Sequence, residues 1–574
     1  MLIKSDNASQ YHERLDMISK HLSAMAVDGF GAGTPAHYDT IVIGAGISGL
    51  AFASRILQSN DTSGGCTPRR LRILEARDRI GGRIASVDVQ GQRLDTGANW
   101  IHGIGTPARP NPLMSIVPQK RYRAMQGSVL FQTPAEEQNS ETCKANQQVS
   151  SEGTVCPAAT TMPKTTCTNG LVVPTCIGQL IASCHEKAIA QVQDLAAGLP
   201  EKAAKYVSIL QSLVSRNAFQ NAFEVVPREY HHTLGSLFQG IESMEAAPLL
   251  ARTTEPLRSE SKPGVGLLEY AVDDFDGEHI VLQDGYIEIT NEIAKPLLEA
   301  GSISFNTVVT GIAWGSNPIS IETTRGNFTA REVVCTMPLG VLKDTAKTEM
   351  FTPSLPADKQ EAIESLGFGT LDKVFAVYSK PWWNDEPYRS IITSGFIRGD
   401  TQSDDDMPDS FLGFTSELSG ISISSDGSVT PDVYRLPVMN LDSLTGQPVL
   451  CAFVSCNTSI TVEEKEDEDV GQIFHRALTQ WFGVEPPEIE SVHVTRWGQD
   501  AYSKGSYSHM ITGVSEIRHR ELLQVPMINE DGGVLRFAGE HCSRDHFAMA
   551  HGALLDGWRA AEESSQYLKI NSMN

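Results

Sequence analysis

The chain has 574 residues, with 46 lysines and arginines against 70 aspartates and glutamates, so its formal net charge is −24. This length predicts more than one folding unit, and 40% hydrophobic with 20% charged residues is ordinary for a globular protein, which excludes collagen and a wholly disordered chain. The acidity argues against nucleic acid as the main partner, because phosphate binding needs a basic face. It is compatible with a cationic substrate, although most acidic surfaces serve only solubility.

The sequence contains no window of about 18 apolar residues, so no transmembrane helix is predicted. The N-terminus lacks the apolar core of a secretory signal, and the C-terminal KINSMN matches no retrieval or peroxisomal tag. We therefore expect a cytoplasmic protein whose ten cysteines are reduced thiols. Five of these cysteines do not have the spacing of metal ligands, so no metal site is expected at Cys143, Cys156, Cys167, Cys176 and Cys184.

The first regular pattern follows a polar leader at 1–36. From Tyr38, YDTIVIGAGISGLAFASRIL predicts a short strand, a glycine turn and an amphipathic helix. A polar insertion at 60–70 precedes LRILEA, which predicts a second strand. Together they form a βαβ unit with a lengthened crossover.

Later segments alternate between low-complexity and periodic patterns. Residues 132–170 are rich in Thr, Gln, Ser, Asn and Pro, which predicts a surface insertion or a partly disordered segment. Residues 178–216 have helical periodicity, and ISFNTVVTGIAW, ISIETT and EVVCTM predict strands. Acidic stretches near 403 and 462 are interpreted as solvated loops or helix starts.

Gly44, Gly46 and Gly49 form a GxGxxG turn between the first predicted strand and helix. Gly44 permits the tight turn, Gly46 lets backbone amides approach a pyrophosphate, and Gly49 allows close helix packing. Glu75 ends the next predicted strand, where a carboxylate accepts hydrogen bonds from ribose hydroxyls and repels a 2′-phosphate. The pattern predicts a dinucleotide site that disfavours NADP; a glycine turn without function is the alternative.

Directly after Glu75 the chain reads EARDRIGGR and then LDTGANWIHG. This run resembles the second signature of the flavin-containing amine oxidase family, in which the GGR arginine lies along the pyrophosphate and the GAxW segment passes beside the flavin ring. NAD enzymes do not need this stretch. The resemblance therefore implies FAD, and not NAD, as the cofactor.

The rest of the chain resembles the same family. IVLQDGYIEITNEIAKPL is similar to its GY helix, EVVCTMPLGVLK to its TxPLGVL turn and GFGTLDKVFAVYSKPWW to its lysine segment. RWGQDAYSKGSYS is similar to its WxxDxxxxGSY stretch, and FAGEHCSRDHFAMAHGALLDGWRAAE to its closing GEH…HGA motif. The resemblance covers residues 38–568 apart from the insertion at 132–170.

The resemblance implies the amine oxidase fold, of class α/β, in which a FAD-binding Rossmann-like domain is interleaved with an α+β substrate domain of mixed sheet and helices. After the flexible leader at 1–36, the FAD-binding parts are expected at 37–106, 271–345 and 496–570, the last with the active-site aromatic segment. The substrate parts are expected at 107–270, including the insertion 132–170, and at 346–495.

Carried over residue by residue, the resemblance implies a set of cofactor contacts. Glu540 is expected on the ribityl chain, Val309 on the adenine side, and Asn99 with Trp100 near the flavin ring. For the arginines and glutamates, a surface salt bridge is the alternative. The whole set is Gly44, Gly46, Ser48, Gly49, Glu75, Arg77, Arg83, Gly97, Asn99, Trp100, Val309, Glu540, Met549 and Ala550, with Ser48, Arg77 and Arg83 on phosphates or ribose and Met549 with Ala550 against the flavin.

Three residues are expected to act in catalysis. Lys373 matches the family lysine that holds a water against flavin N5, and burial would lower its pKa enough to help remove a proton; an exposed strand lysine is the alternative. His102 matches the histidine of animal spermine and acetylpolyamine oxidases, and its near-neutral pKa suits an amine substrate, although a structural histidine is the alternative. Tyr507 matches one wall of the family's aromatic sandwich.

Two positions depart from the monoamine oxidases. The opposite wall of the sandwich falls at Met549, which is not aromatic, and Ser506 stands where those enzymes carry the flavin-linking cysteine. The resemblance therefore implies non-covalent FAD. Substrate contacts are expected from Trp100, His102, Tyr507 and Met549.

The implied reaction is oxidation of the carbon next to an amine nitrogen, with hydride transfer to the flavin, hydrolysis of the imine to an aldehyde and an amine, and reduction of O₂ to hydrogen peroxide. NWIHG followed by RPNPL is most similar to polyamine and spermine oxidases. The alternatives are an oxidase of another amine, an amino acid or a specialised metabolite, and a non-catalytic FAD-containing interaction scaffold.

Overall fold

A computed structural model of the chain describes residues 35–62, 68–117, 121–132, 171–215, 218–249, 264–271, 275–403 and 405–573. The predictions for most of the leader, for nearly all of the 132–170 insertion and for Cys143, Cys156 and Cys167 lie outside these residues. None of the described helices combines the length and apolarity that a bilayer span requires.

The largest sheet has nine described strands from three distant parts of the chain. Its parallel strands follow the Rossmann-like order third, second, first, fourth, fifth along the chain: Ile303–Ser304, Leu71–Leu74, Ala36–Ile43, Gly326–Cys335 and Val534–Phe537. The remaining strands extend one side of it: Ile319–Thr323, Val309–Ala313, Phe351–Thr352 and Met527–Ile528. The predicted βαβ unit and the three predicted strand runs are confirmed.

The helix that follows the glycine turn, Ile47–Thr62, buries Leu50, Phe52 and Ile56. Its spacing of apolar residues explains why it packs as a layer on the sheet. Two further helices, Ile287–Glu299 and Ala550–Met573, contact it. The GY segment is therefore helical, as predicted, and the last helix returns to the first.

A second sheet of seven described strands stands apart from the first. Its order is Phe396–Ile397, Ser128–Leu130, Ser410–Ile423, Val429–Asn440, Val449–Ser455, Leu371–Val377 and Ser491–Val494. Its two faces differ: Leu436 and Val438 pack with Trp481, whereas Met439 packs with Phe453. The period of two along the strand decides which residues turn toward the lysine segment.

The remaining helices pack on one another and on both large sheets. The predicted helical stretch 178–216 is confirmed as Thr175–Gly198, Glu201–Ala204 and Ile209–Ser215. The acidic stretch near 462 leads into helix Asp467–Phe482, which confirms the interpretation as a helix start. Residues 405–409 of the acidic stretch near 403 form a loop, which was the other interpretation. The other helices are Pro112–Ile116, Ala218–Val225, His231–Leu237, Gly240–Glu245, Leu339–Thr345, Ala357–Ser365, Tyr388–Ser394, Leu441–Thr445, Cys456–Glu463, Asp467–Phe482 and Ile517–Gln524, with 3₁₀ turns at Arg228–Tyr230, Leu267–Tyr270, Trp382–Asn384 and Glu540–Cys542.

Four small sheets connect the large ones. One places Trp100–Ile101 antiparallel to Ile280–Leu282, which also pairs with Tyr122–Ala124. Another pairs Gly367–Gly369 with Tyr507–His509. The two remaining hairpins are Ser86–Val89 with Gln92–Asp95 and Gly105–Thr106 with Arg109–Pro110. These short pairs bring the GANWIHG, lysine and GSYS motifs between the two large sheets.

Candidate active site

The glycine turn has the geometry of a dinucleotide loop. Gly44 has a φ of +102°, which favours glycine, and a Cβ there would lie 2.7 Å from Thr336 Oγ1. A Cβ at Gly49 would lie 2.1 Å from the Gly44 carbonyl oxygen, so the helix can approach only without a side chain. A Cβ at Gly46 would meet nothing within 4 Å. The turn therefore leaves open space at the helix N-terminus.

Glu75 is fixed beside this turn by two backbone amides. Its carboxylate accepts hydrogen bonds from Ala45 N at 2.6 Å and from Arg77 N at 2.8 Å. Burial raises the pKa of Glu75 although both bonds oppose the shift. Each carboxylate oxygen keeps a lone pair that can accept a further hydrogen bond. The geometry is therefore compatible with the expected contact with ribose hydroxyls, which stays a prediction.

Arg77 forms an ion pair that the sequence did not indicate. Its guanidinium donates to Asp500 Oδ2 at 2.9 Å and Oδ1 at 2.5 Å, and to Ser503 Oγ at 3.1 Å. The predicted alternative, a salt bridge, is thus present, but it is partly buried and not a surface pair. Contact of Arg77 with phosphate or ribose stays a prediction. Asp500 lies in the WxxDxxxxGSY stretch, which was the available signal.

Arg83 and Glu540 meet at the centre of the site. Arg83 Nη1 donates to Glu540 Oε1 at 2.9 Å, and Glu540 Oε2 accepts from Ser508 Oγ at 2.6 Å and Ala548 N at 3.0 Å. Burial alone would raise the pKa of Glu540, but the charge of Arg83 and the other partners hold it at about 2. Glu540 is therefore an anion at every physiological pH.

Arg520 supports this carboxylate from behind and was missed by the sequence analysis. Its Nη1 donates to Ser508 Oγ at 2.9 Å and to the His541 carbonyl oxygen at 3.1 Å, and its guanidinium lies 3.6 Å from the centre of the Phe547 ring. Burial lowers the pKa of Arg520 to about 10. Ser508 therefore links Glu540 by hydrogen bonds to a second positive charge, that of Arg520. Nothing in the pattern around Arg520 distinguishes it from an exposed helix arginine.

Lys373 is buried, with 3% of its surface exposed, on strand Leu371–Val377. Its ammonium donates to the carbonyl oxygens of Asp95 at 2.7 Å and Gly97 at 2.6 Å, and to Asn99 Oδ1 at 2.9 Å. Burial lowers the pKa of Lys373. All three N–H donors are used, so the predicted water contact requires one bond to be exchanged, and that role stays a prediction.

The GANWIHG segment lies over the second sheet. Asn99 Nδ2 is 3.8 Å from Met439 Sδ, and the Trp100 ring stacks on Phe453 with centroids 5.2 Å apart. The His102 ring lies 6.2 Å from Trp100 and 5.3 Å from His279 by centroids. Asn99, Trp100 and Lys373 are thus brought together, and His102 lies on the far side of Trp100 from Asn99 along the chain.

Tyr507 follows Ser506 on the strand that leads to Ser508. Its hydroxyl donates to the Met244 carbonyl oxygen at 2.8 Å, and burial raises the pKa of the phenol well above its usual range. Met549 immediately precedes helix Ala550–Met573 and lies one residue after Ala548, whose amide holds Glu540. Ala550 packs against the cluster around Ile47, and Val309 is buried at the start of its strand in the first sheet.

These residues fit a dinucleotide cofactor. Ser48, in the first turn after the open space at Gly46, has a buried hydroxyl with no hydrogen-bond partner among the residues that the structure describes. A helix N-terminus with a free hydroxyl and an unobstructed glycine suits a pyrophosphate. The Rossmann-like sheet and this loop together define a dinucleotide-binding protein.

Comparisons with known proteins identify the family. The family model described as NAD(P)-binding Rossmann-like domain matches residues 42–112. The model described as flavin containing amine oxidoreductase matches residues 228–563, more than half of the chain. The chain belongs to the flavin containing amine oxidoreductase family. It is an FAD-dependent amine oxidase, and the family and cofactor predictions are confirmed.

The relatives extend over nearly the whole chain. The human peroxisomal N(1)-acetyl-spermine/spermidine oxidase is 27% identical over 547 residues, which cover 91% of this chain and 94% of that protein. The probable polyamine oxidase 5 of Arabidopsis thaliana is 25% identical and covers 92% of this chain and 98% of its own. A solved structure of wild-type putrescine oxidase with putrescine matches 92% of this chain and 99% of its own, with a TM-score of 0.57 at 18% identity. That likeness confirms the predicted fold.

Gly46→Ala tests the loop as the cofactor site. The new methyl group has space in the chain itself, so thermal stability without FAD should match the wild type. Overpacking against a bound pyrophosphate costs about 1–3 kcal/mol, which weakens FAD binding by about ten- to a hundredfold. FAD titration followed by flavin fluorescence measures the change. Gly198→Ala, which also meets nothing within 4 Å, is the control; equal FAD affinity in both variants would contradict the assignment.

Proposed function

We propose that this amine oxidase acts on a polyamine: spermine, spermidine or an N-acetylated form. The main support is the buried Lys373 beside Asn99 and Trp100, in a chain whose relatives over nine-tenths of its length include named polyamine oxidases. A carbon next to an amine nitrogen loses a hydride equivalent, and water hydrolyses the resulting imine to an aldehyde and an amine. The chemistry that FAD supplies when bound is acceptance of this hydride at N5 and reduction of O₂ to hydrogen peroxide.

Lys373 is proposed to take part in proton movement at the reacting centre. Its buried setting, with a lowered pKa, supports a neutral amine form at a smaller cost than for an exposed lysine. A neutral amine has two N–H donors instead of three, so one of the acceptors Asp95, Gly97 and Asn99 is released and a water can be bound. This change would reconcile the observed bonds with the water-holding role.

His102 is proposed to bind the amine or to relay its proton. Its ring is enclosed by Trp100 on one side and His279 on the other, which limits its orientations. Tyr507 is proposed as one wall for the amine, held by its bond to Met244, with Met549 as the opposite, non-aromatic wall. An aromatic face attracts a substrate ammonium by its quadrupole.

FAD is proposed to be held without a covalent bond. Ser506 Oγ donates to the Leu371 carbonyl oxygen and accepts from the Leu371 amide, both at 2.9 Å. A serine hydroxyl does not form the flavin link that a cysteine thiolate forms. Acid precipitation of the loaded protein should therefore release the yellow chromophore into the supernatant. Colour retained in the washed precipitate would contradict the proposal.

A panel of amines tests the substrate class. Anaerobic mixing with spermine, spermidine or N-acetylspermine should bleach the flavin spectrum, and air should restore it with release of peroxide. Aromatic monoamines and amino acids, the alternative substrates, should bleach it more slowly at equal concentration. Faster bleaching by either of these classes would reject the polyamine proposal, and product analysis would give the carbon attacked.

Lys373→Met tests the role of the buried lysine. We expect FAD-loaded protein in which flavin reduction or reoxidation falls by about 10²–10⁴-fold, the range of general acid–base catalysis. Stopped-flow absorbance of the two half-reactions measures each rate.

Lys359→Met is a matched control. Lys359 is equally buried and donates to three carbonyl oxygens, those of Leu522, Leu523 and Val525, but it lies outside the site. It should lose stability to a similar extent while each bound flavin turns over normally. Normal turnover in Lys373→Met would discard the role.

A further inference from the structure

Arg435 lies on the face of the second sheet that looks toward the reacting centre. On its strand, Leu436 and Val438 pack with Trp481 on one face, whereas Met439 packs with Phe453 and approaches Asn99 on the other. Side chains alternate along a strand. Arg435 is an even number of residues from Met439, so it projects from the same face as Met439.

The Arg435 guanidinium has no hydrogen-bond acceptor among the residues that the structure describes. Its Nε is buried without a hydrogen-bond partner, and none of its nitrogens forms a hydrogen bond or ion pair within the described part of the chain. It lies directly over Gly240, where a Cβ would come within 1.7 Å of Nη1. Burial lowers the pKa of Arg435 to about 10, and no carboxylate opposes this shift. A partly buried charge without a partner is costly and calls for an explanation.

Helix Gly240–Glu245 joins Arg435 to the candidate substrate wall. Gly240 supports the guanidinium, and Met244 accepts the hydrogen bond from the Tyr507 hydroxyl. These two helix residues are four apart, and therefore on the same face about 6 Å from each other. Arg435 and Tyr507 thus contact the same helix about one turn apart.

Strand geometry gives the distance from Lys373. Lys373 pairs with Phe453 on the neighbouring strand, and the register Val438 with Ala452 sets Phe453 opposite the residue two before Met439. Arg435 is then two strands across and two residues along from Lys373, a Cα separation of about 12 Å from standard spacings. An extended aliphatic amine chain can reach both.

A second buried nitrogen group, on the His185 ring, lies close enough for the charge of Arg435 to act on it. His185, on helix Thr175–Gly198, packs on Phe238 with ring centroids 5.0 Å apart, and its Nε2 is buried without a hydrogen-bond partner among the described residues. Burial, followed by the charge of Arg435, lowers the pKa of His185 to about 3. Phe238 lies two residues before Gly240, so two buried nitrogen groups without partners among the described residues approach this turn from different elements.

We propose that Arg435 and His185 form a subsite for an acceptor oxygen, a carboxylate or an amide carbonyl oxygen, at the end of the amine substrate remote from the oxidised carbon. The inference rests on the proposed amine oxidation and sharpens its substrate class. A guanidinium binds such oxygens through paired N–H donors and repels a terminal ammonium. The enzyme therefore prefers acylated or carboxylated polyamines over free ones.

Three matched ligands test the subsite: spermidine, N1-acetylspermidine, and the spermidine analogue whose terminal aminomethyl group is replaced by a carboxyl group. They share the aminobutyl end and differ only in the distal group. We expect kcat/KM for the acetyl or the carboxyl compound to exceed that for spermidine by about ten- to a hundredfold, the worth of a charge-assisted hydrogen bond. The better of these two compounds identifies the oxygen as amide or carboxylate.

Variants separate this subsite from the rest of the enzyme. Arg435→Gln should lose the preference, because kcat/KM for the acetyl or carboxyl compound falls while that for spermidine rises once the repulsion is removed, and Arg435→Glu should invert the preference. Gly240→Ala, which displaces Nη1 without removing the charge, should weaken the preference. Arg476→Gln, at an exposed ion pair with Glu417, is the control, and its kcat/KM for each of the three ligands should equal that of the wild type.

Stability and flavin reduction make the outcomes distinguishable. Arg435→Gln removes an unpaired charge, so its Tm should equal or exceed that of the wild type, which verifies folding. A wild type that prefers spermidine, or an Arg435→Gln variant that keeps the original preference, overturns the subsite while amine oxidation stands. Absence of flavin bleaching with all three ligands would instead reject the proposed function.

Discussion

The buried Lys373 ammonium joins the two halves of this protein. Its strand belongs to the second sheet, while its three acceptors come from the last residue of strand Gln92–Asp95 and the turn after it. An ammonium removed from water is tolerated only when its donors are satisfied. The turn and the strand can therefore not separate without leaving a buried charge unpaired. This constraint fixes Asn99 and, through it, the orientation of Trp100 over Phe453.

Two buried charges in the site are treated in opposite ways. Glu540 is surrounded by Arg83, Ser508 and the Ala548 amide, and its pKa is held at about 2 although burial acts against it. Lys373 donates hydrogen bonds only to neutral oxygens, and the charge of the nearby Asp95 carboxylate does not outweigh burial, so its pKa falls. One group stays permanently ionised, whereas the other is brought nearer to neutrality. The first arrangement suits a fixed partner for a polar cofactor, and the second suits proton movement.

The elements that the sequence predicts correctly are those whose determining forces are local. The glycine turn, the βαβ unit and the strand runs after residue 303 depend on backbone conformation and on short apolar periodicity, and all are present. The family motifs also implied that Lys373 and Asn99 lie near the same flavin, and their side chains do form a hydrogen bond. The pair Arg77 with Asp500 joins residues 423 positions apart, and the support of Ser508 by Arg520 depends on burial of a helix arginine. Such contacts follow from tertiary packing, which no local pattern encodes.

The net charge of −24 and the Arg435 guanidinium, which is unpaired among the described residues, act at different ranges. A diffuse negative surface raises the local concentration of any cation, but salt screens it beyond about 8–10 Å. It cannot distinguish one end of a polyamine from the other. A guanidinium inside a partly buried space is screened much less, and it discriminates between an ammonium and an acceptor oxygen at contact distance. Attraction of a polycation and selection of its modified form are therefore compatible, because the first depends on total charge and the second on one side chain.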